Sequence, residues 1–228
     1  AKPMRLQLIL GANAPEGQVR DLKAMTKGGE ARYSQSLVTK GELGKGTGAY
    51  VVDTINPPFE NPGNVLFRFG GHDFFSTGEA AVCTMDGDVW VVSGIDGKLE
   101  KLSWRRFATG LFQPLGLRII KDRIYVLGRD QITRLHDLND DGEADFYECF
   151  NNGCKIGKHV HEFATGLDTD PQGNFYFVKG HGGKNKHAGT FLKVSADGAN
   201  ITPVATGFRW PNGSGVGPKG QRTVADQQ

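Results

Sequence analysis

The chain has 228 residues, 38% hydrophobic and 23% charged, with a formal net charge of +2. That is enough apolar material for a core, and no Lys/Arg run is clustered enough for a nucleic-acid or anionic-membrane surface. No apolar run approaches the roughly 20 residues of a membrane span, while 33 glycines point to many tight turns.

In chain order, RLQLIL (5–10), AYVVDTI (49–55) and NVLFRF (64–69) read as strands, being short and rich in aliphatic and β-branched residues. The Gly/Lys-rich KGGE and KGELGKGTG between them read as loop. Pro57, Pro58 and Pro62 punctuate the approach to residue 70. Residues 1–70 are thus expected to form a small N-terminal β region, with GGHDFF (70–75), carrying His72 and Asp73, as a turn at its end.

From residue 71 onward the pattern is short strands joined by tight turns. EAAVCTM and DVWVVS flank Asp86-Gly87, the strongest short hairpin signal. GLRII and IYVLG flank Lys121-Asp122, and QITRLHD follows. GLDTD and FYFVKG flank Pro171-Gln172-Gly173, and GTFLKVSADG follows. No stretch shows apolar i, i+3, i+4, i+7 spacing. Aligned on these hairpins and on Pro218-Lys219-Gly220, the bends Gly116, Gly166 and Gly213 fall 50 and 47 residues apart, and Ala81 is expected at the same place in the preceding unit. Units of about 35–50 residues with four strands each are propeller blades. The fold class is therefore all-β: an incomplete β-propeller of about three and a half blades over residues 71–228. A ring needs at least four blades to close, so further domains of a longer chain, or another subunit, are expected to complete it.

The segment Asp137-Leu-Asn139-Asp-Asp141-Gly142-Glu143-Ala-Asp145-Phe-Tyr-Glu148 fits D-x-[DN]-x-[DN]-G-x5-E. Ca²⁺ takes about six to eight oxygen ligands. Side chains of Asp137, Asn139 and Asp141, the Glu143 carbonyl, Asp145 and Glu148 could supply them. The flanks read as strands, so the expected role of a bound Ca²⁺ is structural. Just beyond, Cys149 and Cys154 are close enough in sequence to pair, or to stay free. KGHGGKNKHAG (179–189), with His181 and His187, reads as a mobile basic loop.

The alignment also puts Phe112-Gln113, Glu162-Phe163 and Arg209-Trp210 at equivalent rim positions. Here the sequence resembles a known family. FRWPNGSGVGPKG (208–220) and HEFATGLDTDPQGNFYF (161–177) resemble segments of soluble quinoprotein glucose dehydrogenases. GDVWVVSGID, WRRFATGLFQPLGL, RDQITRLHDLNDDGEADFYE and GFRWPNG resemble the sorbosone-dehydrogenase-like propeller of large secreted bacterial proteins. The resemblance covers about residues 50–228. It implies a periplasmic or extracellular setting and possible use of pyrroloquinoline quinone (PQQ), with His161 as proton acceptor and Arg209 as cofactor contact. Histidine's ordinary pKa suits proton abstraction, and an arginine suits developing negative charge. The chain departs from the pattern where Glu162-Phe163 replaces a glycine pair, where Trp210 replaces an Asn, and where no Asp stands near His181 to partner His161.

Two classes of function follow. One is quinone-dependent oxidation of a sugar or alcohol. The other is a calcium-stabilised propeller without chemistry that binds polysaccharide or a protein partner, as a module of a multi-domain redox protein.

Overall fold

The structure is a computed structural model that describes residues 21–181 and 184–227. The RLQLIL segment lies outside the described residues. After a single helical turn, α1 (Leu22–Met25), every regular element is a strand. Among the described residues no helix is long and apolar enough to cross a membrane.

Three four-stranded antiparallel blades follow one another. The first comprises β2 (Phe69–Phe74), β3 (Ala80–Thr84), β4 (Val89–Ser93) and β5 (Leu102–Ala108), with β1 (Leu37–Thr39) added at its outer edge beside β5. The second comprises β6 (Gly116–Ile120), β7 (Arg123–Leu127), β8 (Ile132–His136) and β9 (Phe146–Asn151). The third comprises β10 (Ala164–Thr169), β11 (Phe175–Lys179), β12 (Thr190–Val194) and β13 (Ile201–Thr206). The hairpin β14 (Trp210–Val216) and β15 (Arg222–Gln227) begins a fourth. This is the partial propeller that the turn spacing implies.

Burial explains the strand pattern. β4, β7 and β11 are almost wholly buried, so VWVV, IYVL and FYFV are continuous apolar runs rather than alternating ones. A strand covered on both faces reads that way. Ala81, Cys83 and Val89 pack against Leu117, Ile124 and Val126 between the first and second blades. Tyr125, Leu127 and Ile132 pack against Phe175, Phe177 and Leu192 between the second and third. Tyr176, Val178 and Phe191 meet Val216 and Val224 of the hairpin. Burial in the first of these layers pushes the Cys83 thiol up to about 12.

The innermost strands β2, β6, β10 and β14 lie side by side, and glycine makes this possible. A Cβ on Gly71 would lie 2.7 Å from the Leu117 nitrogen, and one on Gly116 would lie 2.9 Å from the Leu167 Cβ. This corrects the register of the first unit. Gly71, not Ala81, is the counterpart of Gly116; Ala81 is in the second strand of its blade. The repeat then runs 45, 50 and 47 residues through Gly71, Gly116, Gly166 and Gly213. GGHDFF is accordingly the inner strand β2 rather than a turn, because crowding at the axis favours the glycines that elsewhere argue against a strand. One polar position on these strands links the blades: the Arg118 guanidinium pairs with Asp168 and lies 3.6 Å from Asp73.

The approach to the first blade also differs from expectation. AYVVDTI forms only the single bridge Thr54–Glu42, and of NVLFRF only Phe69 is in a strand. The prolines remove backbone donors. Asn61 takes over the local bonding, accepting from the Val65 nitrogen and donating to the Pro58 and Val65 carbonyls. Leu37, Ile55, Val65 and Phe67 then lie across Trp90, Leu102 and Trp104 on the outer face of the first blade.

Candidate functional site

A cavity of about 580 Å³ opens where the chain runs into β10 and β14. Leu115, His161, Phe163, Thr165, Gly180, Arg209, Trp210, Pro211, Asn212 and Gln227 line it. The two rim residues singled out from sequence, His161 and Arg209, are thus brought onto one wall.

Backbone bonds place them. The Asp226 carboxylate of β15 accepts from the Arg209 and Trp210 nitrogens at 3.0 and 2.9 Å, fixing the start of β14. The Arg209 carbonyl accepts from the His181 nitrogen. The His161 nitrogen donates to His159 Nδ1 at 3.2 Å. Both imidazoles pack on Trp210, with ring centroids 5.5 and 6.2 Å away. Arg129 braces the wall from the second blade. Its guanidinium donates to Gln113 Oε1 and to the His159 carbonyl and sits over the Phe163 ring at 5.5 Å. Among the described residues, the Arg209 guanidinium and the His161 ring nitrogens have no hydrogen-bond or ion-pair partner. An exposed, unpaired cation and an imidazole on a concave wall are what a polar ligand would meet.

Glu162 does not crowd this cavity. It turns inward, is fully buried, and pairs at 2.5 Å with the equally buried Lys179 at the end of β11. Asn185 donates to the same carboxylate at 2.8 Å. Burial alone would raise the Glu162 pKa. Lys179 and Asn185 outweigh it and hold the carboxyl below its ordinary value. Beside the pair lie buried Cys154, its thiol pushed up to about 11 by burial, and buried His187. The ring of His187 accepts from the Lys155 nitrogen, and burial lowers its pKa. His187 is thus part of the core and not of a mobile basic loop. Cys149 and Cys154 are both free thiols.

The acidic loop lies at the end of β8 and β9 away from this rim. Its turn is built as the spacing implies: Asp137 Oδ2 accepts from the Gly142 nitrogen at 2.7 Å, and Asp141 Oδ1 from the Glu143 nitrogen at 2.9 Å. The remaining donors do not form a cation shell. Asn139 turns its amide N–H groups to the Gly29 carbonyl and to Asp141 Oδ2. Asp145 spends one oxygen on the Gly29 nitrogen and the other on that of Leu138. The buried Glu143 carboxylate binds the Arg32 side chain and the Arg32 and Tyr33 nitrogens. Glu148 is on β9, facing Arg134 and His136 at 2.6 Å, because strand pairing with β8 begins at Phe146 and carries it away from the loop. Among the described residues no group of three or more His, Cys, Asp or Glu side chains is arranged to hold a metal ion.

Arg129 and Asp226 were not singled out from sequence. Each acts through carbonyls, amides or ring faces supplied by distant segments, and no local pattern marks it.

The fold is that of a β-propeller, present here in part. No protein-family model matches the chain, and no curated protein matches it. Among solved structures it is similar to the PQQ domain of pyranose dehydrogenase from Coprinopsis cinerea (TM-score 0.57, 13% identity, 85% of this chain and 48% of that one). It is also similar to a putative oxidoreductase (glucose dehydrogenase) from Thermus thermophilus (TM-score 0.52, 17% identity, 68% and 56%). A third match is a gluconolactonase from Xanthomonas campestris (TM-score 0.50, 16% identity, 70% and 55%). The chain spans about half the length of these proteins.

Proposed function

We propose that this is a dehydrogenase-like propeller whose rim cavity binds a quinone cofactor of the PQQ type and oxidises a sugar or alcohol. The single observation that carries the reading is the convergence of unpaired Arg209 and His161 on one cavity. The donor set fits such a group. A cofactor rich in carboxylate and carbonyl oxygens suits Arg209, with Asn212, Gln227 and Thr165 around it. Trp210 and Phe163 offer flat faces. When bound, the quinone would supply a two-electron acceptor. His161 would take the proton of the substrate hydroxyl, held in place by Trp210 and by its bond to His159. Asp226 would act at one remove by fixing Arg209 and Trp210.

The acidic loop enters this reading only as scaffold. Its spacing suits Ca²⁺, but its side chains are spent on the chain itself, and no step is assigned to an ion. A periplasmic or extracellular setting and union with further domains belong to the same proposal.

The test is reconstitution of the purified protein with PQQ, with and without Ca²⁺, followed by quinone binding and dye reduction with aldoses and alcohols. Saturable quinone binding that Arg209→Ala abolishes is the expected result. Neither binding nor turnover would sink the reading.

A second reading, polysaccharide binding without chemistry, is favoured by one observation: among the described residues no carboxylate partners the His161 ring. Glycan binding that persists in His161→Ala, with no quinone binding, would select it.

A further inference from the structure

A second cavity, of about 450 Å³, lies on the outer face of the first blade and shares no lining residue with the rim. Segment 32–35 walls one side and the turn at Pro62 another. Trp90 of β4 and its register partner Arg106 of β5 complete it. The wall is fixed from behind. The buried Glu143 carboxylate accepts from the Arg32 nitrogen and Nε at 2.6 and 2.7 Å, and from the Tyr33 nitrogen at 2.9 Å. The Arg106 guanidinium sits between two rings, 4.7 Å from the Tyr33 centroid and 5.0 Å from that of Trp90. One of its terminal nitrogens lies 3.4 Å from Asp88, which also accepts from the Thr109 hydroxyl at 2.6 Å. Glu143 and Asp88 stand behind the wall: among the described residues, no carboxylate lines the cavity.

What this cavity lacks is acceptors. Trp90 is only 3% exposed, yet among the described residues its indole N–H has no partner, and neither has the buried Arg106 Nε–H. A buried donor left unmade is costly, and both donors belong to residues that line this one space. The Ser34 hydroxyl and the Gln35 amide are also unengaged among the described residues. Guanidinium groups whose own carboxylates lie outside the cavity suit an acid group inside it. Leu37, Val65 and the Tyr33 ring give the same space an apolar side. Its volume falls within the roughly 300–1,000 Å³ of small-molecule sites. We propose that this cavity binds a small anionic sugar. Arg32 and Arg106 hold its acid group, Trp90 donates to a ring or hydroxyl oxygen, and Ser34 and Gln35 meet the remaining hydroxyls. The inference is independent of the rim chemistry.

The tryptophans make the test local. In the isotope-labelled full chain, the indole N–H signals are followed by NMR, with Trp90→Phe assigning the signal of interest. Trp104 is the internal control, since its indole N–H is already bonded to Thr39 at 2.9 Å. Trp210 reports the rim. A sugar carboxylate and a sugar phosphate present the same acceptors, so glucuronate and glucose 6-phosphate are titrated separately, with glucose as the neutral control. The expected result is a saturable shift of the Trp90 signal with at least one anion, while the Trp104 signal stays; the tighter anion identifies the acid group. Arg32→Ala should weaken that binding about tenfold. Should Arg32→Ala disturb the Trp104 signal, and so the fold, the Ser34→Ala/Gln35→Ala variant takes its place, with an expected loss of about threefold. A Trp90 signal that neither anion moves overturns the site, and so does glucose binding as tightly as the anions. Shifts confined to Trp210 would put the ligand at the rim and overturn it as well.

Discussion

The two polar regions of this molecule are built on opposite plans. In the acidic loop every named carboxylate is spent: Asp137 and Asp141 on turn amides, Glu143 on Arg32 and Tyr33, Asp145 on the Gly29 and Leu138 nitrogens, Glu148 on Arg134 and His136. At the rim, Arg209 and His161 are held by their backbones and packing, while their polar ends are left unpaired. The loop has the stronger sequence signature, yet the rim has the better geometry for meeting a ligand. A motif specifies which oxygens are available; partners from elsewhere in the chain decide whether they stay available.

Perturbing each plan should produce a different kind of loss. The largest effect is expected beneath the rim, at the buried Glu162–Lys179 pair. Lys179→Met leaves a buried carboxylate without its counter-ion and should cost about 3–5 kcal/mol, measured by urea denaturation. The double variant Glu162→Met/Lys179→Met should recover most of that, because two apolar side chains of similar size leave no orphan charge. A double variant no better than the single one would show that the pair matters for more than its charge.

Next in size is the axis. A Cβ on Gly70 would overlap the Pro114 carbonyl, and backbone cannot swing aside, so Gly70→Ala should destabilise by about 1–3 kcal/mol. Gly78→Ala makes a useful contrast. Its Cβ meets nothing within 4 Å, but its φ is +89°, so any loss there comes from conformation alone.

Acid should act in two steps. The folded pKa of His187 is lowered, so its contribution to stability is present above the ordinary value of 6.5 and is lost as pH falls below it. The folded pKa of Glu162 is also lowered, so its contribution is lost only as pH falls below 4.5. Stability measured against pH should therefore decline first below 6.5 and again below 4.5. His187→Gln should remove the first decline and leave the second.

The smallest effect on stability is expected at the rim itself. Arg209→Ala and His161→Ala should melt with the wild type, since neither polar group pairs with the fold. A fall in melting temperature in either variant would mean that the rim residues are structural and would erase the contrast with the loop.

Much of the architecture was legible from local chemistry. The D-G and P-x-G turns and the apolar runs VWVV, IYVL and FYFV located the blades, because a strand buried on both faces has no polar alternation to hide it. The same reasoning missed β2: Gly70 and Gly71 look like turn residues until the neighbouring strand is seen pressed against them. It also took NVLFRF for a strand, because apolar content alone does not say whether a segment pairs or lies flat across a sheet.

For the site, the spacing of the repeats was enough to predict that His161 and Arg209 share a rim, since equivalent positions in successive blades must be neighbours. It could not show that Glu162 turns away to meet Lys179, or that Glu148 joins β9. Both depend on which partner wins a side chain once strands pair and pack, within a blade as much as between blades. Sequence by itself determined the blades and the order of residues around the rim, because turns and burial are local or periodic. Only the tertiary structure decided which charges are left unpaired, because pairing is settled across strands and between segments, from Glu162 with Lys179 in one blade to Arg32 with Glu143, far apart in the chain, at the acidic loop.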